Sequence, residues 1–144
     1  MYEDILVPTD GSESMETVVD HAADIAATRD ATVHVLYVVD DRSFLTLQDG
    51  MKDDVVDELR AEGEAATTSV AGRLESEGIT VRTRIRKGNP ADEVLAYADE
   101  AGVDLVVMGT HGADYQQNML GSVSQKVVTM SDVPVLTVNI AEQD

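Results

Sequence analysis

Residues 103 to 112 read Val103-Asp104-Leu105-Val106-Val107-Met108-Gly109-Thr110-His111-Gly112, and residues 120 to 123 read Leu120-Gly121-Ser122-Val123. Val103 to Met108 predicts a strand. Gly109 to Gly121 predicts a glycine-punctuated loop. Ser122 to Met130 then places Val123, Val127 and Val128 at helical spacing. Strand, glycine loop and helix in that order form half of a parallel βαβ unit, and this unit decides the fold class.

The same alternation extends in both directions. Toward the N-terminus, Asp4 to Pro8 predicts a buried strand and Thr9-Asp10-Gly11-Ser12 breaks it. Ser14 to Thr28 carries Val18, Ala22, Ile25 and Ala26 as a helical stripe. Thr32 to Val39 predicts a second buried strand, and Asp40 to Gly50 a loop. Met51 to Glu77 predicts a long amphipathic helix that stops at Gly78. Ile79 to Lys87 alternates Val81, Thr83 and Ile85 with Arg82, Arg84 and Arg86, a strand with one wet face. Asn89-Pro90 predicts an N-cap with proline at the first helical position, and Asp92 and Glu93 suit the first turn. That helix closes at Gly102. Pro134 to Ile140 predicts the last strand.

Strands joined by helices run parallel through right-handed crossovers. The expected architecture is a three-layer α/β sandwich around a five-stranded sheet of order 3-2-1-4-5. No linker or low-complexity tract divides the 144 residues, so one domain over residues 1–144 is expected.

Charge narrows the function. Lys and Arg number 10 and Asp and Glu 28, a net charge of −18, and the pI is near 4.2. Such a surface repels nucleic acid and anionic membranes. No apolar run is long enough to span a bilayer, and Met1-Tyr2-Glu3-Asp4 opens no signal peptide. The absence of Cys removes disulfides, thiolate metal sites and cysteine nucleophiles. Carboxylates at this density destabilise a compact state in dilute buffer, and molar salt screens them. The expectation is a cytoplasmic, halophilic protein, haloarchaeal in origin.

Ligands in open α/β sheets bind beyond the carboxyl ends of the strands, where the strand order reverses. In this order the crevice lies between the first and fourth strands. It receives Pro8, Thr9, Asp10 and Gly11 from one side, and Gly109, Thr110, His111 and Gly112 from the other. Gly121, Ser122 and Val123 open the next helix, whose N–H groups and dipole favour a phosphate. Glycines at 109, 112 and 121 allow close backbone approach.

Across its whole length the chain resembles the universal stress protein family. The residues that carry the likeness are Ile5 to Ser12, Val38-Val39-Asp40, Gly88-Asn89-Pro90, Val106 to Gly112, Leu120 to Val123, and Val133-Pro134-Val135-Leu136. The resemblance implies a flavodoxin-like sandwich, a homodimer and, in the ATP-binding branch, a motif G-x2-G-x9-G-[ST]. It implies ATP as ligand, with or without Mg2+ or Mn2+. It further implies that Asp10 contacts ribose or adenine and that Val38 offers a backbone contact to adenine. Met108 would pack on the base, Gly109 and Gly112 would line ribose and phosphates, and Gly121, Ser122 and Val123 would hold the phosphates. Eight residues, Ala113 to Leu120, separate Gly112 from Gly121 where the family pattern has nine. That stretch holds Asp114 and no Lys or Arg.

Plainer roles compete for the same residues. Asp10 suits an N-cap or a turn, and Met108 suits a core gap. Asp40-Asp41 follows the second strand, not the first, which speaks against a phospho-acceptor pair. His111, Ser122 and Asp10 form no G-x-S-x-G elbow, and the three His show no metal spacing, so no catalytic residue or metal site is assigned. A slow ATPase would need a water-positioning base that no spacing supplies. A flavin would want flanking aromatics, which are scarce. The remaining alternative is a dimeric interaction protein without nucleotide. Val135, Leu136, Val138 and Ile140 form an apolar edge strand, which predicts antiparallel pairing with a second copy.

Overall fold

Short β-branched runs and longer amphipathic ones alternate along the chain, and each folds accordingly in the computed structural model. The structure describes residues 1–41, 47, 49–110 and 121–139. The strands are β1 (Asp4–Pro8), β2 (Thr32–Asp40), β3 (Thr80–Gly88), β4 (Leu105–Gly109) and β5 (Val135–Val138). The helices between them are α1 (Met15–Arg29), α2 (Asp49–Ser76), α3 (Pro90–Glu100) and α4 (Ser122–Met130). All strand pairs are parallel and the order is β3-β2-β1-β4-β5. Helices cover both faces, the flavodoxin-like arrangement expected from the sequence.

Alternation along the central strands splits the core into two layers. Ile5, Val7, Val33, Val35 and Val107 face α1, with Val18, Val19, Ala22 and Ala26 packed on them. Leu6, Leu36, Val106 and Met108 face α3 and α4, against Val94, Tyr97, Ala98 and Val127. Burial on both sides is why β1, β2 and β4 read as unbroken apolar runs.

Caps and boundaries follow local chemistry. The Asn89 side chain accepts from the Asp92 N–H at 3.1 Å, with Pro90 starting α3 as expected. Position 14 caps α1, not Asp10. Asp10 Oδ1 instead accepts from the Ser12 N–H at 2.9 Å and the Ser12 hydroxyl at 2.6 Å, the turn role. Strand β4 starts at Leu105, later than expected, because the Val103 N–H turns back to the Ala98 carbonyl and closes α3. Strand β5 is shorter than the apolar run suggested.

At the sheet edges, Arg86 of β3 pairs with Glu100 at 2.7 Å and Glu93 at 3.7 Å, as expected for a surface stripe. It also lies over the Tyr97 ring, 5.1 Å from the centroid. At the other edge lies β5. Val138 is 7% exposed and belongs to the core, so its side chain is not offered to a partner. Val135 packs on the α3–α4 layer, and Leu136 is 37% exposed. Ile140 lies outside the described residues.

Candidate functional site

Three strand ends and two helix starts converge at the switch point. A cleft of about 260 Å3 opens there, between the carboxyl ends of β1, β2 and β4 and the first turns of α3 and α4. Its lining includes Pro8, Thr9, Asp10, Val38, Met108, Gly109 and Val123. These are seven of the residues singled out from the sequence, drawn from four separate elements and one turn. Gly121 and Ser122 stand at the start of α4, just beyond the lining. Gly112, His111 and Asp114 lie outside the described residues.

The structure adds lining residues that sequence reasoning passed over: Leu36, Tyr37, Asp40, Pro90, Val94 and Ser124. Pro90 and Asp40 had local signals, an N1 proline and the end of a strand. Ser124 had none beyond its helix. Its hydroxyl donates to the Gly109 carbonyl at 2.7 Å and is buried, so it ties α4 to the end of β4. The Gly121 N–H donates to the Thr110 carbonyl, and the Thr110 N–H to the Val138 carbonyl at 3.0 Å. These bonds bring the chain back to β4 at residue 121 and aim α4 at the cleft.

The Asp10 turn is held from three sides. The Thr9 hydroxyl accepts from the Gly11 N–H at 3.1 Å. Gly11 has φ +81°, a left-handed conformation that glycine adopts without strain. Behind the turn stands the Tyr37 ring, 3.9 Å from where a Gly11 Cβ would be. On its other side, a Cβ on Gly63 of α2 would sit 2.5 Å from Tyr37 Cδ1. Glycine at 63 therefore lets α2 close onto the ring. Burial raises the Tyr37 pKa above that of free tyrosine, and the Glu62 and Asp10 carboxylates push it the same way.

Chemically the cleft is an apolar slot with carboxylates at its rim. Leu36, Val38, Met108, Pro90 and Val94 suit a flat apolar group such as a base. Asp10 can accept from hydroxyls. The α4 start can supply N–H groups to an anion. Among the described residues no cluster of three or more His, Asp or Glu could hold a metal ion. No helix among the described residues is long and apolar enough to cross a membrane.

The comparisons point the same way as the fold. The profile of the universal stress protein family matches residues 1–139. A universal stress protein of Methanocaldococcus jannaschii, MJ0531, is 36% identical over 140 residues, covering 96% of this chain and 82% of its own. The solved structure of MJ0577, from the same organism, superposes with a TM-score of 0.88 at 30% identity, covering 100% of this chain and 99% of its own. A universal stress protein solved in complex with cAMP superposes with a TM-score of 0.74 at 27% identity, covering 97% and 98% of the two chains. With a matching profile over nearly all its length and relatives at this identity, the chain belongs to the universal stress protein family.

Proposed function

We propose that this chain is a nucleotide-binding stress regulator that holds ATP in the cleft between β1 and β4 and acts as a cytoplasmic homodimer. The observation that carries this reading is the convergence of Asp10, Val38, Met108, Gly109 and Val123 on one apolar cleft beside a helix start. Its volume suits a nucleoside. A relative solved with cAMP supports an adenine nucleotide as the ligand class.

In this reading the base lies between Met108 and Val38, with a backbone contact at residue 38. Asp10 accepts from the ribose hydroxyls. Gly109 leaves room for the sugar, and the α4 start at Gly121, Ser122 and Val123 receives the phosphates. Mg2+ or Mn2+ would enter on the phosphates, since no group of three or more His, Asp or Glu stands ready for it among the described residues. The chain acts as one domain. Its acid surface suits a salt-loving cell, a haloarchaeon, and makes nucleic acid and membranes poor partners.

The dimer forms through β5. Of the large apolar side chains that stay exposed among the described residues, Val128, Met130 and Leu136 belong to α4 and β5. A strand at a sheet edge with apolar neighbours favours pairing with a second copy.

Calorimetric titration of ATP and AMP at molar KCl, with Mg2+, on wild type and Gly121→Val tests the site. Heat with wild type and none with the variant supports it. No heat with either favours the second reading, a dimeric interaction protein without nucleotide. The one-residue-shorter loop and the lack of a basic side chain along it favour that alternative.

A further inference from the structure

The chain has 10 Lys and Arg in all, and Arg82, Arg84, Arg86 and Lys87 fall together on one strand, β3. Residues 78–91 hold no Asp or Glu. Strand β3 is an edge of the sheet: β2 pairs with it on one side, and among the described residues no strand lies on the other. Arg82, Arg84 and Arg86 stand opposite His34, Leu36 and Val38. Alternation sends all three to the α3 face, the face of Leu36. Arg86 is taken by Glu100 and Glu93. Arg82 and Arg84 are exposed and form no ion pair or hydrogen bond among the described residues.

Cations on a sheet edge ordinarily keep other strands away. At a net charge of −18 the sign reverses that effect, because Arg82 and Arg84 locally offset the repulsion an acidic chain meets elsewhere. The stripe also has the spacing of a strand partner. Its side chains recur about every 6.6 Å along an edge whose outward backbone groups have no strand to bond. A strand added there lies about 4.8 Å away, and carboxylates at alternate positions would meet the guanidiniums. This chain has no such strand: β1, β2, β4 and β5 carry no alternating carboxylates, and β3 against β3 would bring Arg to Arg. A phosphate polymer draws its affinity from the number of cations it neutralises, and two are few. A strand adds main-chain hydrogen bonds to the same two contacts.

We infer that β3 is a docking edge for an extended acidic segment of another protein, which adds to the sheet as a strand with its carboxylates beside Arg82 and Arg84. The surface is separate from the cleft, whose described lining takes no residue from β3. Pairing of two copies through β5, at the opposite edge, leaves it clear.

The probe is a fluorescent peptide as long as β3 that alternates Glu and Thr, with one alternating Gln and Thr as control, at about 0.5 M KCl. Anisotropy should show saturable binding of the acidic peptide and much weaker binding of the control. The double variant Arg82→Gln/Arg84→Gln alters only exposed side chains and should keep its circular dichroism spectrum. It should bind the acidic peptide about three- to tenfold more weakly, since each exposed pair is worth little. Hydrogen exchange followed by NMR reads the mode of docking. Alternate amides between Thr80 and Gly88, those that point away from β2, should exchange several-fold more slowly with the acidic peptide bound. No binding, equal binding of the control, or undiminished affinity in the double variant overturns the proposal. Binding without amide protection overturns it too and leaves a charged patch. A thymidine oligonucleotide that binds as tightly as the acidic peptide also overturns it and assigns the stripe to phosphate polymers.

Discussion

The Tyr97 hydroxyl lies 2.7 Å from Nδ1 of His34, inside the layer between the sheet and α3. The other ring nitrogen, Nε2, lies 2.9 Å from Asp4 Oδ1. A carboxylate only accepts, so in the neutral ring Nε2 donates to Asp4 and Nδ1 accepts from Tyr97. The bond fastens α3 to β2 a turn beyond the point where Pro90 and Val94 meet the cleft. Tyr97→Phe leaves a buried Nδ1 without its donor. The expected cost is about 1–2 kcal/mol, read as a lower denaturant midpoint at fixed KCl. An unchanged midpoint would show that the contact contributes nothing.

Gly63 and Tyr37 set a second test. Alanine in a helix is intrinsically better than glycine by about 1 kcal/mol. Here the added Cβ would meet the buried Tyr37 ring at 2.5 Å, and overpacking costs about 1–3 kcal/mol. The clash should outweigh the propensity, so Gly63→Ala is expected to destabilise. Because Tyr37 backs the Asp10 turn, the same variant should weaken nucleotide binding in calorimetry. A more stable Gly63→Ala protein would contradict this packing.

Alkaline titration reads two tyrosines directly. Tyr37 and Tyr97 both have pKa values raised chiefly by burial, with Arg84, Arg86 and Arg82 partly opposing the rise at Tyr97. The folded state therefore disfavours their ionisation. Their contribution is complete below the unfolded value of about 10 and is lost as pH rises through the folded values. Ultraviolet titration should show two late phenolate transitions. One should disappear in Tyr37→Phe and the other in Tyr97→Phe. Two variants that both titrate like wild type would refute the assignment.

Leu136 tests the dimer and the salt dependence together. It is exposed on the edge strand β5. Leu136→Glu should shift the light-scattering mass at 2 M KCl from dimer to monomer while leaving the circular dichroism spectrum unchanged. In both proteins the melting temperature should rise with KCl between about 0.1 and 2 M, since screening relieves like-charge repulsion. A dimeric variant would move the interface away from β5.

Local patterns determined much of this protein from the sequence alone. Apolar runs such as Val33 to Val39 marked strands buried on both faces. The Asn89-Pro90 pair marked a helix start, and strands alternating with helices implied parallel pairing and a cleft beside Asp10 and Gly109. All of these rest on neighbours along the chain, where periodicity and capping chemistry are visible. Only the tertiary structure decided which distant groups meet. Tyr37 gained its place behind the Asp10 turn because α2, 26 residues on at Gly63, closes onto its ring. His34 became a buried link between Asp4 and Tyr97, 63 residues away, and Ser124 rather than Ser122 entered the cleft. Side-chain direction and contact across the layers depend on how elements pack, and no spacing along one element encodes that.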